Sequence, residues 1–563
     1  MNDKLQQLRQ LMKENGADAY IITKFDPHQT EYADPYYNGT EFISGFTGSV
    51  ATVVVTEDKA GLWTDSRYFL QAEKELPETF ELHKMGEAGT PDVLEYAADF
   101  KKVAIDFATF PANAGKKLSR LIQRKNGELL DLDLVSPLWK NRDFAPSDGI
   151  FAYDERFSGE SFASKLERVR AKMDAPYYII SSLDDIAWLL NIRSMGEFNT
   201  FNFLAYVLIG PEEVTLFMDQ EIGEALPAGV AVRPYGEVFE RLQNKKAAVA
   251  PTRTNYKILQ SLTEPQLLAH DITAALKACK NSVEIANIRS ANARDAALHV
   301  KFFKWVKEAA AGLTEFEIGE KLFEMRMAHG AKNHSFAPIV GYLENGAIVH
   351  YRAETDSKIV QKGGFLLIDS GANYEEGTTD ITRTLAMGPL TQEEKIHYTL
   401  VLKGHIALAL QKFPAGTHGA ALDAITRKPL WDHLLNYGHG TGHGIGHFLN
   451  VHEGPCGIAP RAFEPLAVGN VLSNEPGLYL TGQYGIRLEN TILVKEAGKN
   501  FGIPFLEFET LSFIPFEKEA IAKELLSEEE SAWLDAYHAK TYELLAPSLN
   551  SEEAAWLKDA IAL

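Results

Sequence analysis

The chain has 563 residues, too many for one ordinary core, since domains run to roughly 100–200 residues. Its 45% hydrophobic and 24% charged residues describe a packed globular protein rather than a disordered one, and 77 acidic against 56 basic residues, a formal charge of −21, argue against a surface built for a nucleic-acid backbone. Two cysteines, Cys279 and Cys456, are too few to staple such a chain, and no apolar run nears the ~18 residues that would span a bilayer.

The opening MNDKLQQLRQLMKENGADAYIIT spaces Leu5, Leu8, Leu11 and Met12 at helical period and carries charge throughout, unlike a signal-peptide core, so a cytoplasmic protein is expected. AYIIT, ATVVVT, AGLWTD and KKVAIDF read as strands interleaved with helical FLQAEKEL, an α/β domain over residues 1–155. It closes in SPLWKNRDFAPSDGIF, residues 136–151, where Pro, Asp and Gly cluster as in a linker. The same logic restarts over residues 156–283, with helical SGESFASKLERVRAKM and DDIAWLLNI among the strand runs APYYIISS, NFLAYVLIG and EVTLFMD. The recurring order suggests two related α/β domains in tandem, although no residue-level repeat aligns. From about Asn281 the helical NSVEIANIRSANARDAALHVKFFKWVKE opens a third segment, 284–563. Its C-terminal extension, from about 503, ends in helical pieces, one starting on a capping box of Ser527 and Glu530.

Three stretches of the last segment carry the chemistry. In GGFLLIDSGANYEEGTTDITRT, Phe365 to Ile368 form a buried-strand run ending at Asp369, and Asp380 opens a second strand after a Gly- and Asn-containing turn. A hairpin would bring the two carboxylates together, though ordinary turn chemistry explains two such aspartates equally well. NYGHGTGHGIGHFLNVHEGP sets His439, His443, His447 and His452 among glycines. A spacing of four fits one helix face, but five interior glycines would cost a helix on the order of 5 kcal/mol, so an extended or looped segment is expected. In VLSNEPGLYLTGQYGIRLENTILV, period two puts Arg487 and Glu489 on one strand face, downstream of Glu475. A solvated face is the alternative, opposed by the apolar TILV that follows. Four carboxylates with one imidazole and no thiolate suit Mn, Co, Fe or Zn in an open site, and two divalent cations would balance the four negative charges.

Together these stretches resemble the signature segments of the pita-bread metallopeptidases, specifically the Xaa-Pro aminopeptidases (aminopeptidase P) of the large three-domain cytosolic type. GFTGSVA and WTDSRYFLQAEKEL resemble that family's N-terminal domain and DDIAWLLNIR its middle domain, so the likeness spans nearly the whole chain. It implies two creatinase N-terminal-like α/β domains followed by an α+β pita-bread catalytic domain. By the same resemblance Asp369 chelates one metal, Asp380 and Glu489 bridge two, and His443 and Glu475 complete the second. Mn2+ is the expected ion, with Co2+ or Zn2+ accepting the same donors. His350, in NGAIVHYR, together with His439, His452 and Arg487 would contact substrate.

The implied reaction removes the N-terminal residue from peptides with proline second, by attack of a metal-bridging hydroxide on the Xaa-Pro bond. Glu475 would shuttle the proton toward the proline nitrogen, while His452 and His350, with His439 nearby, steady the oxyanion and the proline side. Peptides are the expected partners, not nucleic acid or a membrane, and a homodimer is expected. Two positions depart from the family pattern: Ala353 stands where relatives often carry proline, and His447 adds a histidine the five ligands do not need, read as a bystander. The alternatives are a prolidase confined to Xaa-Pro dipeptides, a methionine aminopeptidase, an inactive pita-bread binding protein and a metal-free creatinase-like hydrolase. The two preceding α/β domains oppose the first pair, and the intact ligand set opposes the second.

Overall fold

The computed structural model describes residues 3–142, 149–195 and 200–562. The chain divides into two compact units, residues 1–154 with 160–274 and residues 155–159 with 275–563. Part of the linker expected over 136–151 lies outside the described residues.

In the first unit the β-branched and aromatic runs form two six-stranded sheets. One runs in the order Glu81–Lys84, Ala60–Thr64, Thr52–Thr56, Ala19–Thr23, Lys102–Ile105, Glu128–Asp131. The other runs Val230–Arg233, Val214–Phe217, Tyr206–Ile209, Tyr177–Ile180, Lys246–Val249, Glu264–Leu267. Numbered within each sheet, both orders are 4-3-2-1-5-6. Directions match as well: a parallel pair at one edge, two antiparallel pairings, then two parallel ones. The recurrence read from the sequence is therefore a repeat of topology. Period-two burial gives the sheets a common interior, in which Val103, Ile105 and Leu118 share one cluster with Leu208, Val249 and Ile258.

The second unit opens on the long helix Ser282–Ala309, started by a capping box of Asn281 and Glu284, and continues with Glu315–Ala328, capped by Thr314 and Glu317. Each such cap is worth about 0.5–2 kcal/mol. The expected box of Ser527 and Glu530 also forms, at the start of Glu528–Leu545. A four-stranded sheet holds Asn333–Tyr342, Phe365–Tyr374, Gly377–Thr378 and Ile381–Ala386. Leu366, Ile368, Ile381 and Leu385 face Leu298, Phe302 and Val306 of the long helix, so residues of opposite parity, Asp369 and Thr382 among them, point to the other side. A six-stranded sheet, ordered Lys412–Pro414, Ile503–Thr510, Asn490–Asn500, Val471–Asn474, Gly442–Gly444, Glu453–Ile458, buries Leu472, Ile492 and Val494 against Leu408 and Leu422 of two paired helices. Among the described residues no helix is long and apolar enough to cross a membrane.

Candidate metal centre

The Phe365 strand does not stop at Asp369 but continues to Tyr374, because it is paired on both edges. Its chain reversal falls at Glu375–Glu376, between the paired residues Tyr374 and Gly377, rather than on the Gly and Asn of the motif. The register then sets Asp369 opposite Thr382, two residues beyond Asp380, so both aspartates lie on the face turned away from the helices. A buried ion pair grips this hairpin from behind. Arg326 holds Asp295 through two 2.9 Å bonds and donates to the carbonyls of Gly371 (3.2 Å) and Ser370 (3.4 Å). Asp295 also accepts from the Tyr374 hydroxyl (2.9 Å) and Thr379 Oγ1 (3.0 Å), tying down the end of the strand that carries Asp369 and the residue before Asp380.

The glycine-rich stretch is extended, as its composition requires. Gly442–Gly444 is a strand between its two neighbours, and the histidines around it sit in loops. A Cβ on Gly442 would stand 2.0 Å from the Ser473 carbonyl oxygen, so only glycine lets the strands close. His443 Nδ1 donates to the Gly444 carbonyl (2.9 Å), which turns Nε2 toward Asp380 (3.3 Å) and Glu475 (3.5 Å). The His452 ring lies edge-on to it, centroids 4.2 Å apart. His439 donates through Nδ1 to Gly440 O (2.7 Å), lies 3.9 Å from Glu475, and meets the Tyr479 hydroxyl at Nε2 (2.8 Å). His447 is buried elsewhere, its Nδ1 3.9 Å from Glu284.

Arg487 and Glu489 do not share one strand, as their parity suggested: the first strand ends at Arg487 and the next begins at Asn490, with Glu489 in the gap, yet both side chains reach Thr382. Glu489 accepts from its Oγ1 at 2.7 Å, and Arg487 Nε approaches the same oxygen at 3.3 Å. The guanidinium is buried and committed to protein: Nη2 to Asp369 (2.6 Å), Nη1 to the Tyr479 hydroxyl (2.7 Å), and Nη2 again to the carbonyl of Val349 (3.4 Å), the residue before His350. Ligand atoms of Asp380, His443 and Glu489 all fall within 4.8 Å of one another. Sequence reasoning missed Tyr479 and Thr382, which link Asp369, Arg487, Glu489 and His439. It also missed Asp423 and Arg427, a buried pair at 2.7 Å whose Arg427 holds the carbonyls of Tyr437 and His439 (2.6 Å each). Their i,i+4 spacing on a helix was the available signal.

The electrostatics call for cations. Burial pushes Asp369, Glu475 and Glu489 up, and the charge of Asp380 adds to each. Burial disfavours charge on His443, but its hydrogen bond to Asp380 and the charges of Glu475 and Asp380 outweigh that and lift it to about 9. Asp369 Oδ1 is buried with no hydrogen-bond partner among the described residues. Four crowded carboxylates, an imidazole turned into them and an unfilled oxygen fit two divalent ions with hard-donor preference. His443 and Glu475 are the members of the set most open to solvent, with side chains 23% and 17% exposed.

Residues 286–496 match metallopeptidase family M24, and 504–562 match the C-terminal region of peptidase M24. Residues 4–136 and 141–284 each match a creatinase/prolidase N-terminal domain. Aminopeptidase P2 of Arabidopsis thaliana is 38% identical to this chain, over 99% of it and 88% of the relative. Xaa-Pro aminopeptidase 1 of Dictyostelium discoideum is 36% identical, over 100% and 96%. Among solved structures, the X-prolyl aminopeptidase of Caenorhabditis elegans, described as a cytosolic enzyme with a di-nuclear active site, superposes with a TM-score of 0.95 at 32% identity, covering 100% of this chain and 99% of that one.

Proposed function

Because the chain belongs to the aminopeptidase P branch of metallopeptidase family M24, we propose that it is a metal-dependent aminopeptidase that releases the first residue from peptides with proline second. The observation that carries this reading is the convergence of Asp380, His443 and Glu489 within 4.8 Å, beside Asp369 and Glu475. These five residues would hold two divalent ions, and manganese is our choice, with cobalt or zinc as alternatives. When bound, the ions supply Lewis-acid chemistry that makes water nucleophilic near neutral pH and polarises a carbonyl.

The protein's own residues divide the remaining work. Glu475, the most accessible of the carboxylates that meet His443, takes the proton from the attacking water and returns it to the proline nitrogen as the C–N bond breaks. His452, stacked edge-on to His443, and His350 donate to the oxyanion and hold the proline side. His439 is kept in one tautomer by Gly440 O and the Tyr479 hydroxyl, beside Glu475. Arg487 is buried, so its part is to orient Asp369 from behind while its Val349 contact brings the His350 segment near. Proline at the second position offers no amide N–H, so recognition rests on shape and these histidines.

Our reading also includes a cytoplasmic location, a homodimer, and division into domains over 1–155, 156–283 and 284–563. The domain division is supported by the repeated sheet topology and the family matches, and the location by the solved relative described as cytosolic. The test is hydrolysis by metal-stripped protein reconstituted with each ion in turn, using an Xaa-Pro dipeptide, a tripeptide and a longer peptide. Activity that extends to the tripeptide and the longer peptide supports the proposal. Activity on the dipeptide alone makes the chain a prolidase, and activity indifferent to chelation removes the metal from the reaction.

A further inference from the structure

Glu315 is fully buried at the start of its helix, and its carboxylate collects donors from one irregular segment. Tyr342 N donates at 2.6 Å, Asn345 Nδ2 at 3.0 Å to each oxygen, the Tyr351 hydroxyl at 2.7 Å and Lys358 N at 3.2 Å. Asn345 also donates to the Tyr351 oxygen (3.0 Å). All these donors are neutral, so the buried carboxylate is sustained by hydrogen bonds and by the positive end of its helix. Between Tyr342 and Phe365 the regular backbone pairing is a short 3-10 turn, Leu343–Ala347, and an isolated bridge from Ile359 to Thr314, so the stretch around His350 between them is held mainly by turns and side chains.

His350 lies on that segment with both neighbours tied. The Val349 carbonyl accepts from the guanidinium that holds Asp369, and the Tyr351 hydroxyl donates to Glu315. We propose that Glu315 is a positioning residue for the peptidase reaction: through Tyr351 and Asn345 it holds the 342–358 segment so that His350 is presented to substrate beside the metal ligands. The inference rests on the reading that His350 contacts substrate.

A double-mutant cycle separates this role from mere support of the fold. Glu315→Gln and Tyr351→Phe, each alone and combined with His350→Ala, and His350→Ala alone are assayed for kcat and KM on an Xaa-Pro tripeptide, with bound metal and Tm measured alongside. Tyr351→Phe keeps every other donor, so it remains informative if Glu315→Gln does not fold. A shift of the segment by about an ångström is expected to lower kcat/KM roughly tenfold to a hundredfold, with bound metal unchanged. In the His350→Ala background the same changes should have little further effect. Losses that persist in full in that background, or no loss from Tyr351→Phe, overturn the proposal. If His350→Ala alone leaves kinetics untouched, the reading of His350 fails and this inference with it, whereas metal-dependent hydrolysis would still stand.

Discussion

Arg487 meets Asp369 at 2.6 Å with only 2% of its surface exposed, so removing it strands a buried carboxylate near Asp380. Arg487→Met should destabilise the metal-stripped protein by about 3–5 kcal/mol. Thermal unfolding with and without added divalent ion tests this: the ion should recover part of the loss, because it supplies the positive charge Asp369 has lost. No recovery would argue against Asp369 as a ligand. Glu475→Gln keeps one oxygen donor but cannot carry the proton, so kcat should fall by about 10²–10⁴ while the protein still folds. A variant with kcat within a few-fold of the parent would take proton transfer away from Glu475. Much of this chemistry was legible residue by residue, because ligands must be Asp, Glu or His and the motifs carry them. Tyr479 and Thr382 were not, since a phenol or hydroxyl in a sequence gives no hint of the distant partners it will meet.

At the level of elements, glycine decides whether the two halves of the site close. Gly442→Ala would push a methyl into the Ser473 carbonyl oxygen, 2.0 Å away, in a strand whose own N–H at His443 bonds to Ser473 Oγ. We expect a loss of about 1–3 kcal/mol, with weaker metal retention because His443 moves with its strand. Calorimetric melting together with elemental analysis checks both; an unchanged melt would mean the strands tolerate a wider gap. The extended form of this stretch could be anticipated from its glycines, whereas the break between Arg487 and Glu489, which ends one strand before the next begins at Asn490, could not be read from their parity. The hairpin was foreseen, but its reversal at Glu375–Glu376 and its grip by Asp295 and Arg326 were not. The grip joins two helices to a hairpin by long-range contacts, and local pattern carries no record of those.

Across the whole molecule, buried neutral histidines set an acid limit on stability. Burial lowers His299 and His538 to about 4, against an ordinary value near 6.5, with Arg326 and Arg383 respectively adding to the effect. Each imidazole accepts or lies ready to accept as a neutral ring, His538 Nε2 from Phe516 N (3.4 Å) and His299 Nε2 beside Arg326 (3.5 Å). Below pH 6.5 the unfolded chain binds protons that the folded one refuses until about pH 4, so stability is full above 6.5 and falls as pH drops through that window. Denaturant unfolding at pH 7.5, 6, 5 and 4 should show the decline, and His538→Gln should flatten it. A flat profile in the parent would contradict neutral burial of these rings.

Taken by itself, the sequence supplied the candidate donors, the glycines that forbid a helix around His443, and the tandem order of helices and strands. These are properties of composition and of spacing within about fifteen residues. Only the tertiary structure decided that Thr382 and Tyr479 tie the three stretches together, that Arg487 is committed to Asp369, and that Glu315 collects the His350 segment. The physical reason is that burial converts each carboxylate into a demand for a partner, and which partner arrives depends on packing between residues tens to more than a hundred positions apart.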